Sequence, residues 1–473
     1  MDVHESLLEL IGDTPLVRLR TPGDDHSARL YAKLEYLSVG GSVKDRIALR
    51  MIEDAERRGL LKPGGTVVEA SSGNTGVGLA LVAAAKGYRA VIVIPDKTSA
   101  EKAATLRALG AEVVVRPGML PIDHPDQVVN TATRLAAEIP GGWMAAQYDN
   151  PANPEAHYAT TGPEIWQQTE GRITHLVCCV GTGGTISGTG RYLKEVSGGG
   201  VRVIGADPDS SVYSGGDGRP YFVEAAGRWR HPETPEDCWP ASFHQEVVDE
   251  ILPVTDRESI MTIRRTARES GLLVGGSAGT ALAAARRVAA GLGPDDLVVA
   301  VLPDSGKQYL SKYFDDGWLL RLGFLDGDPA TVRVADALTD GERARPLPYL
   351  HRHRTVGEAL AELRAREAAG AEPVLPAGPA PVGPSRRPTA PELVGAVRLV
   401  ELDEAVAAGR VGPDQSLDEQ LGAPLPQFGG GESAEQALAT LRSAPDATAV
   451  VLHDGHAVGL VTEEQLRAAL GRP

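Results

Sequence analysis

A chain of 473 residues exceeds what one core ordinarily holds, so about two to four domains are expected. Its formal charge of −16 excludes a general nucleic-acid binder, because nothing would neutralise a phosphate backbone. Three cysteines cannot build a disulfide framework, no run approaches a membrane span, and the N-terminus shows no basic region followed by an apolar one; the expected setting is the cytoplasm, without a membrane partner.

The opening segment, 7–19, contains the turn G-D-T-P at 12–15, and the apolar run 30–37 suits a strand. From Ser42 the apolar residues Ile47, Met51, Ile52 and Ala55 recur at helical spacing, with Ser42 as N-cap. Lys44 then falls in the first helical turn, where the positive end of the helix disfavours an ammonium and suits an amine that must lose its proton to act as a nucleophile. Strand and helix patterns alternate after it, at 66–69, 75–86, 90–94, 100–109, 112–115, 126–138, 175–180 and 186–195. Such alternation implies βαβ units in open sheets with helices on both faces, which hold ligands at the C-terminal ends of their strands.

Three loops at strand ends carry the chemistry. Ser71, Ser72, Gly73, Asn74 and Thr75 lie between a strand and a helix, where small residues and exposed N–H groups suit a carboxylate and the Asn74 amide can donate or accept. Gly181, Thr182, Gly183, Gly184 and Thr185 repeat the arrangement with two hydroxyls. Without the lysine of a P-loop or the G-x-G-x-x-G register of a dinucleotide site, this turn fits a single terminal phosphate. Ser277 stands at the start of the Ala-rich helix 275–288, ahead of the apolar strand 297–302. Together with Lys44 the loops supply an amine nucleophile, a monophosphate site, a carboxylate site and a neutral hydroxyl, the set needed for pyridoxal phosphate handling an amino acid.

The motifs G-G-S-V-K-D-R, S-G-N-T-G, Q-Y-D-N-P-A-N-P, V-G-T-G-G-T-I-S-G, G-G-S-A-G and L-P-D-S-G-K-Q-Y-L-S-K occur in an order that resembles the cysteine synthase/cystathionine β-synthase family of fold-type II pyridoxal phosphate enzymes. The resemblance covers about residues 5–325 and implies two open twisted sheets flanked by helices. It implies that Lys44 holds the cofactor, Asn74 faces its phenolic oxygen, the 181–185 turn its phosphate, and Ser277 its pyridine nitrogen. Ser71, Ser72, Gly73 and Thr75, with Gln147, would meet the substrate carboxylate. The implied activity is replacement at the β-carbon of serine or an activated serine by a thiol, homocysteine first; the alternative is cysteine synthase or another nucleophile. A homodimer or higher homo-oligomer is expected. No metal is expected, and no heme, because members that bind heme carry a Cys- and His-containing N-terminal extension absent here.

Beyond a linker at 326–331, residues 332–473 show a helix and two short strands twice over: 355–363, 372–375 and 393–397, then 433–441, 448–452 and 457–462. This resembles a pair of regulatory CBS domains, with a long flexible loop at 376–391. Where such modules hold an adenosyl effector with Thr and Asp, this chain has Arg398 with Glu401, and Thr462 with Gln465. The missing aspartates count against that effector. Two departures concern the first region: Ser71 stands where the family usually has a threonine and keeps the hydroxyl, and in V-E-A-A-G Ala225 replaces a glycine of the family, so the loop is expected to leave the family's path, with an insertion, Arg228 to Pro235, after it.

Overall fold

The computed structural model describes residues 3–19, 28–71, 73–96, 98–118, 120–231, 239–379 and 386–472. They form two compact units, Met1–Phe314 and Asp315–Pro473, so the division falls ahead of the linker expected at 326–331. No helix among the described residues is long and apolar enough to cross a membrane.

In the first unit the order is β1 (Leu16–Leu19), β2 (Arg29–Leu34), α1 (Lys44–Arg57), β3 (Thr66–Ala70), α2 (Asn74–Lys86), β4 (Arg89–Pro95), α3 (Ala100–Ala108), β5 (Glu112–Arg116), α4 (Val128–Glu138), β6 (Gly142–Met144), α5 (Ala152–Ala159), α6 (Thr161–Gln168), β7 (His175–Cys179), α7 (Gly184–Val196), β8 (Arg202–Pro208), β9 (Glu250–Val254), α8 (Asp256–Ser270), α9 (Gly276–Ala290) and β10 (Leu297–Leu302). One sheet has the order β1-β2-β10-β7-β8-β9, antiparallel only at β1/β2, and the other is the parallel β5-β4-β3-β6. Strand β10 reads as a continuous apolar run because it is covered on both faces, and β3 is buried along its whole length although it carries Glu69.

Helix α1 forms because Ile47, Met51 and Ile52 make one apolar stripe, and each is fully buried. Burying such a side chain contributes about 2 kcal/mol. Gly78 on α2 lets that helix approach the Lys44 carbonyl, since a Cβ there would stand only 3.0 Å from it. The expected N-cap shifts by one residue: the cap position is Val43 and the helix begins at Lys44, while the Ser42 hydroxyl still accepts the Lys44 N–H at 3.2 Å. The expected strand 30–37 ends at Leu34, and Glu35–Leu37 turn into a short 3₁₀ helix that carries the Glu35 carboxylate inward to Arg46. Helix α4 starts at Val128, two residues later than expected, because Gln127 caps it.

The second unit contains α10 (Asp316–Arg321), α11 (Asp340–Ala344), β11 (Leu350–His351), α12 (Val356–Ala368), β12 (Val374–Gly378), β13 (Gly395–Arg398), α13 (Leu399–Ala407), β14 (Gln427–Gly429), α14 (Ala434–Leu441), β15 (Thr448–His453), β16 (His456–Thr462) and α15 (Glu463–Ala469). The sheets β11-β12-β13 and β14-β15-β16 share one plan, a parallel pair followed by an antiparallel one, with a helix after the first and third strands. The loop expected at 376–391 is shorter than its composition suggested. Its start belongs to β12, and near its end Thr389 and Glu392 close a capped 3₁₀ turn; 380–385 lie outside the described residues.

Candidate active site

Four strand ends of the first unit deliver side chains to one cavity, lined by Val43, Lys44, Asn74, Cys178, Cys179, Gly181, Thr182, Gly183, Thr185, Ile186, Ala225, Val301 and Pro303. Lys44 heads α1, Asn74 heads α2 after β3, the 181–185 turn joins β7 to α7, and Pro303 follows β10. Helix starts point backbone N–H groups and the positive ends of their dipoles toward such a space. The Lys44 amine is held below the ordinary lysine pKa. Burial is the main cause, opposed by the charge of Asp304.

At Gly183 and Gly184 the 181–185 turn has no room for a side chain. Gly183 sits at φ +88 with Phe243 against it, and a Cβ at Gly184 would fall 1.8 Å from Asn153 Oδ1. Asn153 in turn donates to the Gln147 carbonyl at 2.7 Å and to the Thr182 hydroxyl at 3.1 Å. Tyr213 donates to the Gly181 carbonyl at 2.9 Å.

Beside this turn, Ser71 Oγ accepts the N–H groups of Gly73 and Gly76, both at 3.1 Å, and so shapes the 71–76 loop from within. Thr75 donates to Gln147 Oε1 at 2.5 Å, and the Gln147 N–H donates to Glu69 at 3.4 Å. Burial pushes the Glu69 carboxyl up to about 8. Ser72 lies outside the described residues. Ser277 occupies the first turn of α9, fully buried, and its hydroxyl has no hydrogen-bond partner among the described residues. Gly184, Ser71, Gly73, Thr75, Gln147 and Ser277 are not part of the cavity's immediate lining.

Ala225 lines the cavity at φ +59, so the alanine adopts the left-handed angle that a glycine would take cheaply and does not force the backbone elsewhere. Of the insertion, Arg228, Trp229, Arg230 and His231 are described, with Trp229 edge-on to the buried His231 ring; 232–235 lie outside the described residues.

Several polar groups at the site have no role assigned from the sequence, although Asp304 lies within the L-P-D-S-G motif. Asp304 accepts from Asn74 Nδ2 at 2.7 Å; Lys102, fully buried, pairs with Glu224 at 3.1 Å; His157 contacts the Thr185 hydroxyl at 3.2 Å and stays neutral because burial lowers its pKa. The available signals were the repeated asparagines of Q-Y-D-N-P-A-N-P and the acidic residue of P-D-S-G, each at a strand end.

The profile of the family described as "Pyridoxal-phosphate dependent enzyme" matches residues 7–304. The chain is 45% identical over 335 residues to a cystathionine beta-synthase of Oryctolagus cuniculus, covering 69% of this chain and 59% of that protein. It is 43% identical over 330 residues to one of Apis mellifera, covering 68% and 64%. The match thus spans less than two thirds of the length of these relatives. Among solved structures it is similar to an O-ureido-L-serine synthase, at 38% identity and a TM-score of 0.60, covering 67% of this chain and 99% of that one.

Proposed function

The chain belongs to the pyridoxal-phosphate dependent enzyme family, and from that premise we propose that it replaces the β-substituent of serine, or of an activated serine, with a thiol, homocysteine first, to give cystathionine. The observation that carries the reading is the desolvated Lys44 amine sharing one cavity with Asn74 and the 181–185 turn. Two features fit the cofactor: a turn at 181–185 that a Cβ would fill, and the buried, orphaned hydroxyl of Ser277. Pyridoxal phosphate, when bound, draws electrons from the α-carbon of an amino acid and so acidifies its C–H bond.

Lys44 would hold the cofactor, and its amine, whose pKa burial lowers, would serve as the base for the substrate's α-proton. Gly181, Thr182, Gly183, Gly184 and Thr185 bind the phosphate through N–H groups and hydroxyls. Ser277 meets the pyridine nitrogen with a neutral hydroxyl, which favours β-elimination over reactions that need a fully protonated ring. Asn74 binds the phenolic oxygen. Ser71, Gly73, Thr75 and Gln147, with Ser72, bind the substrate carboxylate.

The O-ureido-L-serine synthase likeness favours a second reading, in which the incoming nucleophile is not a thiol. Supplying the purified chain with pyridoxal phosphate, serine or O-acetylserine, and in turn homocysteine, sulfide and non-thiol nucleophiles, then identifying products by mass spectrometry, separates the two. Cystathionine as the fastest-formed product supports the first reading, and a preference for a non-thiol replaces it with the second.

The second unit we assign as a regulatory pair of CBS domains, supported by its twice-repeated β-α-β-β-α plan. An adenosyl effector is disfavoured, because Arg398 is committed to Asp446 at 2.6 Å and Gln465 closes the capping box of Thr462. Cys178 and Cys179 carry free thiols, which suits the cytoplasm. Light scattering on the full chain tests the expected homo-oligomer.

A further inference from the structure

Asp304 follows β10 and has no exposed surface. Its Oδ2 accepts two bonds, from Asn74 Nδ2 at 2.7 Å and from the Tyr309 hydroxyl at 2.5 Å. The Tyr309 oxygen accepts in turn from Lys102 Nζ at 2.7 Å. Lys102 is paired with Glu224 at 3.1 Å, and the other oxygen of Glu224 takes Lys312 at 2.5 Å. This buried string joins separate chain segments and terminates on Asn74, which lines the cavity.

The two ends of an asparagine amide have nearly the same shape and opposite chemistry, so only its partners decide which end faces where. A carboxyl oxygen already accepting from Tyr309 selects the nitrogen end of Asn74. That leaves Asn74 Oδ1 buried without a partner, an unfavourable arrangement unless something entering the cavity meets the amide. The backbone of Asp304 performs the structural work separately: its carbonyl accepts the Gly275 N–H at 3.1 Å, and it bridges Ser42. These backbone contacts hold the Asp304 main chain in place independently of its carboxylate, whose own bonds go to Asn74 and Tyr309.

We propose that Asp304 is a positioning residue for the reaction: anchored by Tyr309 and Lys102, it fixes the orientation of the Asn74 amide and so the way Asn74 presents its remaining donor and acceptor to the cofactor. This rests on the reading of the site given above.

The test is a double-mutant cycle in the full chain loaded with pyridoxal phosphate. Asp304→Ala removes the acceptor and frees the Asn74 amide to turn, whereas Asp304→Asn keeps an amide oxygen where Oδ2 stands and can hold both donors. Asp304→Ala is expected to lower kcat about tenfold with little change in KM for the amino acid, and to shift the absorbance maximum of the bound cofactor before any substrate is added. Asp304→Asn is expected to recover most of both effects. In an Asn74→Ala background, Asp304→Ala is expected to cost much less than in the wild-type chain, the remainder being the Asp304 charge that acts on Lys44. Full additivity of the two alanine variants, or an Asp304→Asn enzyme as impaired as Asp304→Ala, overturns the inference while leaving the reading of the site intact. A wild-type chain that binds no pyridoxal phosphate, or a Lys44→Ala variant that keeps the visible band, overturns the reading itself and this inference with it.

Discussion

An alanine held at φ +59 brings its Cβ close to the next carbonyl, which costs about 1–2 kcal/mol relative to the right-handed region. At Ala225 that strain sits on the cavity wall, next to the Glu224 that pairs with Lys102. Ala225→Gly is expected to stabilise the first unit by about 1 kcal/mol, the relief of strain exceeding the extra freedom of glycine in the unfolded chain. A higher urea midpoint at unchanged slope is the measurement; an equal or lower midpoint contradicts it. At Ser277 the issue is charge. Ser277→Asp would put a carboxylate where the pyridine nitrogen is assigned, and it is expected to slow β-replacement at least about tenfold while the cofactor stays bound. Unchanged rates and product ratios would remove Ser277 from that role.

At the scale of elements, the start of α7 depends on the close approach of α5. Gly184→Ala would drive a methyl group into Asn153 Oδ1, and Asn153 is the residue that ties the turn to the Gln147 carbonyl. Overpacking of this kind costs about 1–3 kcal/mol. Because the strain falls on the turn assigned to the phosphate, Gly184→Ala is expected to weaken cofactor affinity about tenfold or more, read by titrating the apoprotein with pyridoxal phosphate. Affinity equal to wild type would mean that the turn accommodates the methyl group and does not need this close packing. The regular elements were readable in advance because helix period, strand period and glycine placement are properties of short windows. The run at 30–37 misled for a physical reason: Tyr36 and Leu37 continue the apolar pattern, but the chain turns at Glu35 to bring its carboxylate to Arg46.

Across the molecule, stability in acid is expected to turn on Glu164. It accepts from Arg46 at 2.5 and 2.7 Å and from Lys33 at 2.6 Å, linking α6 to α1 and β2. Although burial opposes ionisation, these cations hold the Glu164 carboxyl down to about 2. A carboxylate with a depressed folded pKa contributes stability in full above its unfolded value, near 4.5, and loses it as the pH falls toward the folded value. The contribution is about 3 kcal/mol, present at pH 6 and fading between about pH 4.5 and 2. Glu164→Gln is expected to lower stability by about that amount at pH 6 and to flatten the profile in this window. Denaturant unfolding at a series of pH values checks it, and parallel profiles for the two proteins would show that the ion cluster contributes nothing there.

The sequence by itself determined the α/β alternation, the three loops at strand ends, the amine at the head of α1 and the repeated plan of 332–473. Each element in them depends on residues close to one another in sequence, where periodicity, caps and glycine act locally, and the repeat shows as the same local pattern met twice. Only the tertiary structure decided which polar groups meet. Asp304 faces Asn74 across 230 residues of chain, and Arg46 faces Glu164 across 118. Such pairs leave no mark in a short window, because what selects them is the cost of burying a charge or an amide without a partner, and that cost exists only after the sheets have closed around it.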